Sequence, residues 1–257
     1  MSDILDNYKA SEDLYQVPTA KGSVVEKCLK LVESLFFPTI CGGCGQPGQL
    51  LCEECEGKLK FDTLNRCLVC EQLSVYGHTH LSCASDVTPE KFISIFTYQP
   101  PFSRMLQKIK YRQKSFSYLE PLLKIACEDL TEKGLEFGDE ALVVPIPLHW
   151  FKRWQRGFNV ADLIGQKIAK EFKLTYKPEV LTRTRNTKTQ TKLTRPERRK
   201  NVAAAFTVPS RFINDIKDRD ILLIDDVCTT GATLLSAAAA LKSAGSGQVW
   251  CSALARD

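Results

Sequence analysis

The chain has 257 residues, 44% of them hydrophobic and 25% charged, which allows one α/β core plus a small extra module. A formal net charge of +5 suits an anionic ligand such as a phosphate ester without demanding nucleic acid. No stretch approaches the roughly 20 apolar residues that cross a bilayer, and the opening MSDILDNYKASEDLYQ lacks the basic and apolar regions of a secretion signal, so the sequence predicts a cytoplasmic protein.

Residues 1–22 are polar and aperiodic and read as a flexible leader. Residues 23–85 read as a helix plus a metal-binding module. Val24, Val25, Cys28, Leu29, Leu31, Val32 and Leu35 share a helical face within 23–36, and Pro38 ends that helix. Eight of the eleven cysteines precede residue 84. Cys41 and Cys44, Cys52 and Cys55, and Cys67 and Cys70 form C-x-x-C pairs, followed by His80-x-x-Cys83. In a reducing compartment such pairs favour metal over disulfides, and four pairs suffice for two tetrahedral sites. Eight paired donors including a histidine favour structural Zn²⁺, one or two ions, over an iron–sulfur cluster. His78 is an alternative to His80, and spacing leaves sequential and cross-braced pairing both open. Such a module has too little core to fold alone, and its surface offers a docking site for a protein or DNA. Cys28, Cys127 and Cys251 read as buried structural residues.

From residue 91 to 257 strands alternate with helices, which predicts a parallel sheet flanked by helices. Strands are expected at Lys91–Tyr98, Ala141–Pro145, Arg219–Asp225 and Gln248–Leu254. Helices are expected at Pro101–Lys110, Leu119–Lys133, Phe158–Phe172 and Ala232–Ala244. Residues 182–200 are polar and strongly basic, with Glu197 opposing eight cations.

The segment ILLIDDVCTTGAT, Ile221–Thr233, carries the chemistry. A buried strand ends in Asp225 and Asp226. Val227 and Cys228 follow, then Thr229, Thr230, Gly231, Ala232 and Thr233 lead into a helix. Ligands of open α/β sheets bind outside the carboxyl ends of strands, and a helix N-terminus suits a phosphate. Gly231 permits close backbone approach, the threonines add hydroxyl donors, and the two carboxylates accept from a vicinal diol. The site matches a ribose 5-phosphate. The plainer alternative is a strand–turn–helix with a threonine N-cap and surface acids. Cys228 lacks an evident histidine partner and reads as a packing residue rather than a nucleophile.

ILLIDDVCTTGAT resembles the phosphoribosyl pyrophosphate (PRPP) signature of the type I phosphoribosyltransferase fold. With IKYRQK at 109–114, VPIPLHWFKRWQRGFN at 144–159, RTRNTKTQTKLTRPERRKNVAAAF at 183–206 and the cysteine module, the chain resembles the ComF family of competence-associated and GntX-like proteins over about residues 30–257. The resemblance implies that Asp225 and Asp226 hold the ribose hydroxyls and that Thr229–Thr233 wrap the 5-phosphate. It puts Arg156 and Asn159 near the pyrophosphate. Residues 183–200 become a loop that closes over PRPP, with Gln190, Arg198 and Asn201 as its marked positions. The family often carries a cysteine pair at the last metal-ligand position, where this chain has His80 and Cys83. Pyrophosphate departure needs Mg²⁺ and cations against the developing charge, and a basic flap that excludes water fits that need.

Three functions follow. The first is a Mg²⁺-dependent phosphoribosyltransferase that moves ribose 5-phosphate from PRPP to an unknown acceptor. The second is a non-catalytic PRPP- or nucleotide-binding regulator. The third is a factor handling single-stranded DNA alongside DNA-uptake proteins, since the resemblance implies natural transformation or DNA utilisation. Trp150, Phe151, Trp154 and Phe158 interleave with Lys152, Arg153 and Arg156, a pattern that can stack bases and follow phosphates. The plainer view assigns these residues to the PRPP pocket and core.

Overall fold

A computed structural model describes residues 39–111, 116–132, 138, 140–148, 153–154, 156–184 and 205–257. The helix expected at 23–36 lies outside the described residues, as do Cys28, Trp150, Phe151, Lys152, Gln190, Arg198, Asn201 and all of 185–200. Ile40–Asp257 forms one compact unit.

Its centre is a five-stranded sheet in the order β1-β7-β6-β2-β3. The strands are β1 (Lys91–Thr97), β2 (Leu142–Pro145), β3 (Thr175–Tyr176), β6 (Ile221–Cys228) and β7 (Val249–Arg256). All four pairings are parallel, with Leu142 opposite Ile221 and Ile221 opposite Val249. Each link between neighbouring strands is long enough to return the chain to the same end of the sheet, as parallel pairing requires. A separate antiparallel pair joins β4 (Thr182–Arg183) to β5 (Phe206–Thr207).

The strand sequences are apolar on both faces because both faces are covered. On β2, Val143 points to one core while Leu142 and Val144 point to the other. On β6, Leu222 and Ile224 alternate with Ile221 and Leu223 in the same way. The first face receives helices α1 (Phe102–Tyr111), α2 (Leu119–Glu132) and α3 (Val160–Glu171), through residues such as Met105, Leu122 and Ile164. The second face receives α4 (Ala232–Ser243), through Leu234, Ala238 and Leu241.

Element ends depart from the sequence expectations where capping or pairing intervenes. Helix α3 begins at Val160 rather than Phe158, because Asn159 is extended and its side chain accepts from the Ala161 N–H. Strand β6 runs four residues past Ile224, since its backbone stays paired with β7 out to Cys228 opposite Arg256. Asp225 and Asp226, expected to end the strand, lie three and two residues before its last residue.

The cysteine segment wraps the sheet. Residues 60–62 run along β1, with the Asp62 N–H donating to Ile95 (2.8 Å) and the Thr97 N–H to Lys60 (2.8 Å). This covers an edge strand that would otherwise expose unpaired amides. Cys41, Leu51, Cys55 and Leu59 are buried in the core of the first face, whereas Leu68 is buried in the core of the second. Among the described residues no helix is long and apolar enough to cross a membrane.

Candidate functional site

The carboxyl ends of β6 and β2 adjoin, tied by the Ile146 N–H donating to Ile224 (2.7 Å). Asp225 and Asp226 project from that end and are partly buried. The Asp226 N–H donates to Asp225 Oδ1 at 2.8 Å, and Lys110 Nζ meets Asp226 Oδ2 at 2.9 Å. Burial pushes the Asp225 carboxyl up to about 7, and the neighbouring Asp226 pushes the same way; the Asp226 N–H, Lys110 and Arg183 pull it back. An acid pair at a strand end is thus flanked by a cation from α1 and another from β4.

Beyond Cys228 the chain turns through Thr229 and Thr230 to Gly231, which sits in the left-handed region at φ +69°. Gly231 occupies the N-cap position of α4, and no side chain caps the helix. The structure therefore differs from a threonine-capped turn. The first N–H groups of α4 have no intrahelical acceptor and carry the positive end of the helix dipole. Asp225 and Val227–Leu234 line one hollow, so one carboxylate of the pair shares a cavity with the loop and the start of α4. Cys228 is 3% exposed, and burial pushes its thiol up to about 12, far from a nucleophile's range.

Asn159 is 5% exposed and its amide is committed to the scaffold: Nδ2 donates to the Ile146 carbonyl (2.9 Å) and to Asp162 Oδ1 (3.0 Å). It joins the turn after β2 to the start of α3. Arg156 Nη2 donates to the Tyr111 hydroxyl at 3.2 Å, and its guanidinium lies 5.1 Å from that ring's centre. Tyr111 follows Lys110, so one end of α1 reaches both Asp226 and Arg156. Sequence reading gave Lys110 and Tyr111 no role. Their signal was the basic last turn of α1, which has no meaning until α1 is docked on β6. The ends of the basic segment are held together, with Arg183 opposite Phe206 and the Thr184 N–H donating to Ala205 (2.9 Å).

The eight expected metal ligands fall into two groups of neighbours in sequence: Cys41, Cys44, Cys52 and Cys55, then Cys67, Cys70, His80 and Cys83. Within each group the donor atoms lie within 4.8 Å of one another. The Cys52 N–H points at Cys41 Sγ (3.5 Å), a contact that suits a thiolate. His80 Nδ1 is 3.2 Å from Cys70 Sγ, while Nε2 donates to the Leu73 carbonyl at 3.0 Å. That bond leaves Nδ1 as the free ligand atom, the usual arrangement of a metal-bound histidine. His78 belongs to neither group. Each group of four donors can hold one zinc ion.

Residues 156–257 match the family described as the phosphoribosyl transferase domain. The chain is 30% identical over 232 residues to the DNA utilization protein YhgH of Escherichia coli O157:H7, covering 84% of this chain and 97% of that protein. It is 28% identical over 239 residues to competence protein F of Haemophilus influenzae, covering 92% of both. It is 27% identical over 208 residues to competence protein ComFC of Bacillus subtilis, covering 78% of this chain and 81% of that one.

Proposed function

This chain belongs to the ComF family of phosphoribosyltransferase-like proteins, and from that premise we propose that it binds PRPP with Mg²⁺ and transfers its 5-phosphoribosyl group to an acceptor, in support of DNA utilisation or uptake. The carrying observation is the shared hollow of Asp225 and the loop before α4, beside the Lys110–Asp226 pair.

In this reading Asp225 and Asp226 accept hydrogen bonds from the ribose hydroxyls, and the amides and hydroxyls of Thr229–Thr233 hold the 5-phosphate. When bound, Mg²⁺ supplies charge neutralisation for the pyrophosphate. Lys110 holds Asp226 in place through their 2.9 Å ion pair. The bond between C1 of the ribose and the pyrophosphate oxygen breaks as the acceptor bonds to C1, and pyrophosphate leaves with that electron pair. Arg156, Gln190, Arg198 and Asn201 serve the pyrophosphate side, and Asn159 sets the turn on which that side is built. The two cysteine groups hold structural zinc, and the reducing cytoplasm keeps their thiols available.

The test is calorimetry of PRPP with Mg²⁺, followed by pyrophosphate release across an acceptor panel. Binding with turnover supports the transferase, and binding without turnover under any acceptor favours a regulator. Absence of binding removes both.

A second reading, single-stranded DNA binding, is favoured by exposed aromatic side chains, one of them against a cation. Tyr111 is 71% exposed and Trp154 79%, and Arg156 stacks on Tyr111. Aromatic faces among cations can hold unpaired bases. Affinity for single strands should then fall steeply with salt; binding that is absent or insensitive to salt rules this reading out.

A further inference from the structure

The second cysteine cluster touches the phosphate loop directly. A methyl group placed on Gly231 would stand 2.6 Å from Leu68 Cδ1, 3.0 Å from Cγ and 3.3 Å from the Leu68 carbonyl oxygen. Both the side chain and the main chain of Leu68 therefore abut the N-cap of α4. Leu68 is 1% exposed and shares a core with Cys228 and Ala232, the residues that bracket the loop.

The position of Leu68 is fixed by its neighbours. It lies in the two-residue spacer between Cys67 and Cys70. The Cys67 N–H donates to Gln72 (2.9 Å) and the Glu71 N–H to Cys67 (2.8 Å), closing the turn. Arg66 adds a hydrogen bond from its guanidinium to the Glu71 carbonyl (3.1 Å), and the four-donor cluster is a further constraint on that turn. The first cluster lies on the opposite face: a methyl on Gly42 would meet Met105 Cγ at 2.8 Å and Tyr118 Cδ1 at 2.9 Å, far in sequence and layer from the loop.

We infer that Leu68 is a positioning residue for the phosphate loop, and that metal in the Cys67–Cys83 cluster sets how well the loop holds its ligand. The inference rests on the reading that residues 229–233 take the 5-phosphate of PRPP. Gly231 must hold a left-handed backbone at the helix start, and a wedge from behind is what keeps a loop of small residues in one conformation. Release of the metal frees the Cys67–Cys70 turn, withdraws Leu68 and lets the loop sample conformations that do not present its amides together. The first cluster meets α1 on the other face of the sheet rather than the loop at Gly231.

The test uses the full-length zinc-loaded chain and two readouts: amide exchange over residues 228–234 without ligand, and PRPP–Mg²⁺ affinity by calorimetry. Leu68→Ala and Cys83→Ser should each raise exchange over 228–234 and weaken PRPP by about tenfold or more, because small displacements of a binding group are costly. Leu68→Met, which keeps the apolar volume behind Gly231, should leave both readouts near wild type. Leu68→Val, a milder truncation, carries the same test if Leu68→Ala does not fold. The inference is overturned if a folded, zinc-replete Leu68 truncation keeps loop exchange and affinity within about twofold of wild type. If loop exchange responds as expected but the wild-type chain does not bind PRPP, the ligand assignment falls and the contact between cluster and loop stands.

Discussion

The two halves of this molecule are held by different physics. The sheet from β1 to β7 is buried on both faces by apolar residues, so its stability comes from area removed from water. The cysteine segment from 40 to 83 leaves Leu64, Leu73, Val75, Tyr76 and Leu81 exposed and buries few side chains of its own. It depends on two donor clusters and on what it borrows from the sheet: Cys41 and Leu51 in one core, Leu68 in the other. The contrast teaches that the module is a clamp with one jaw on each face of the sheet. One jaw rests on α1, whose Lys110 reaches Asp226, and the other on the loop at Gly231.

The largest effect should come from a strong zinc chelator. Each structural zinc site of this kind is worth about 10–16 kcal/mol apparent, so residues 41–83 should lose amide protection while β6 and β7 keep theirs. Uniform loss across both regions would break the comparison, making the sheet as metal-dependent as the module. Retained protection over 41–83 without metal would break it the other way.

Next in size is Asp225→Asn combined with Asp226→Asn. Calorimetry should show PRPP affinity falling about 100-fold or more, with zinc content unchanged, because charge-assisted acceptors are lost from a partly buried site. An affinity near wild type would mean that the ligand is not held by its diol.

A smaller effect is expected at Asn159→Ala. The substitution strands the buried Ile146 carbonyl and uncaps α3, at a cost of about 1–3 kcal/mol in a denaturant titration. The loss belongs to the sheet region and should appear with or without zinc.

The smallest effect concerns pH. The Asp225 carboxyl is raised from 3.8 to about 7, so the folded chain binds that proton more tightly than the unfolded one. Its contribution to stability is complete below about pH 4 and is lost as pH rises through about 7. PRPP affinity should move oppositely, rising about tenfold from about pH 6 to 8 as the carboxylate forms. Asp226→Asn removes a repelling neighbour and should lower the midpoint, and Lys110→Met removes an attracting one and should raise it. A midpoint that both variants leave unmoved would detach the titration from this carboxyl pair.

Much of the fold was legible because it is written locally. Four apolar residues before Asp225, small residues through Gly231 and an alanine-rich run after it specify strand, loop and helix within one stretch of chain. The eight cysteine and histidine donors that the structure brings together were legible by spacing. The strand end at Cys228 was not, since nothing in Val227 or Cys228 announces pairing that β7 supplies. His80 was legible too, from its spacing to Cys83 with His78 as the alternative, and the structure brings His80 to the other donors of the second group.

What the sequence by itself determined is therefore the short-range pattern: the acid pair, the small-residue loop before α4, the C-x-x-C turns and a parallel α/β core. What only the tertiary structure decided is the long-range pairing: Lys110 on Asp226, Arg156 on Tyr111, sequential rather than interleaved donor clusters, and Leu68 behind Gly231. The reason is physical. Periodicity and spacing act between residues a few positions apart, whereas these contacts join residues brought together by burial on the two faces of one sheet.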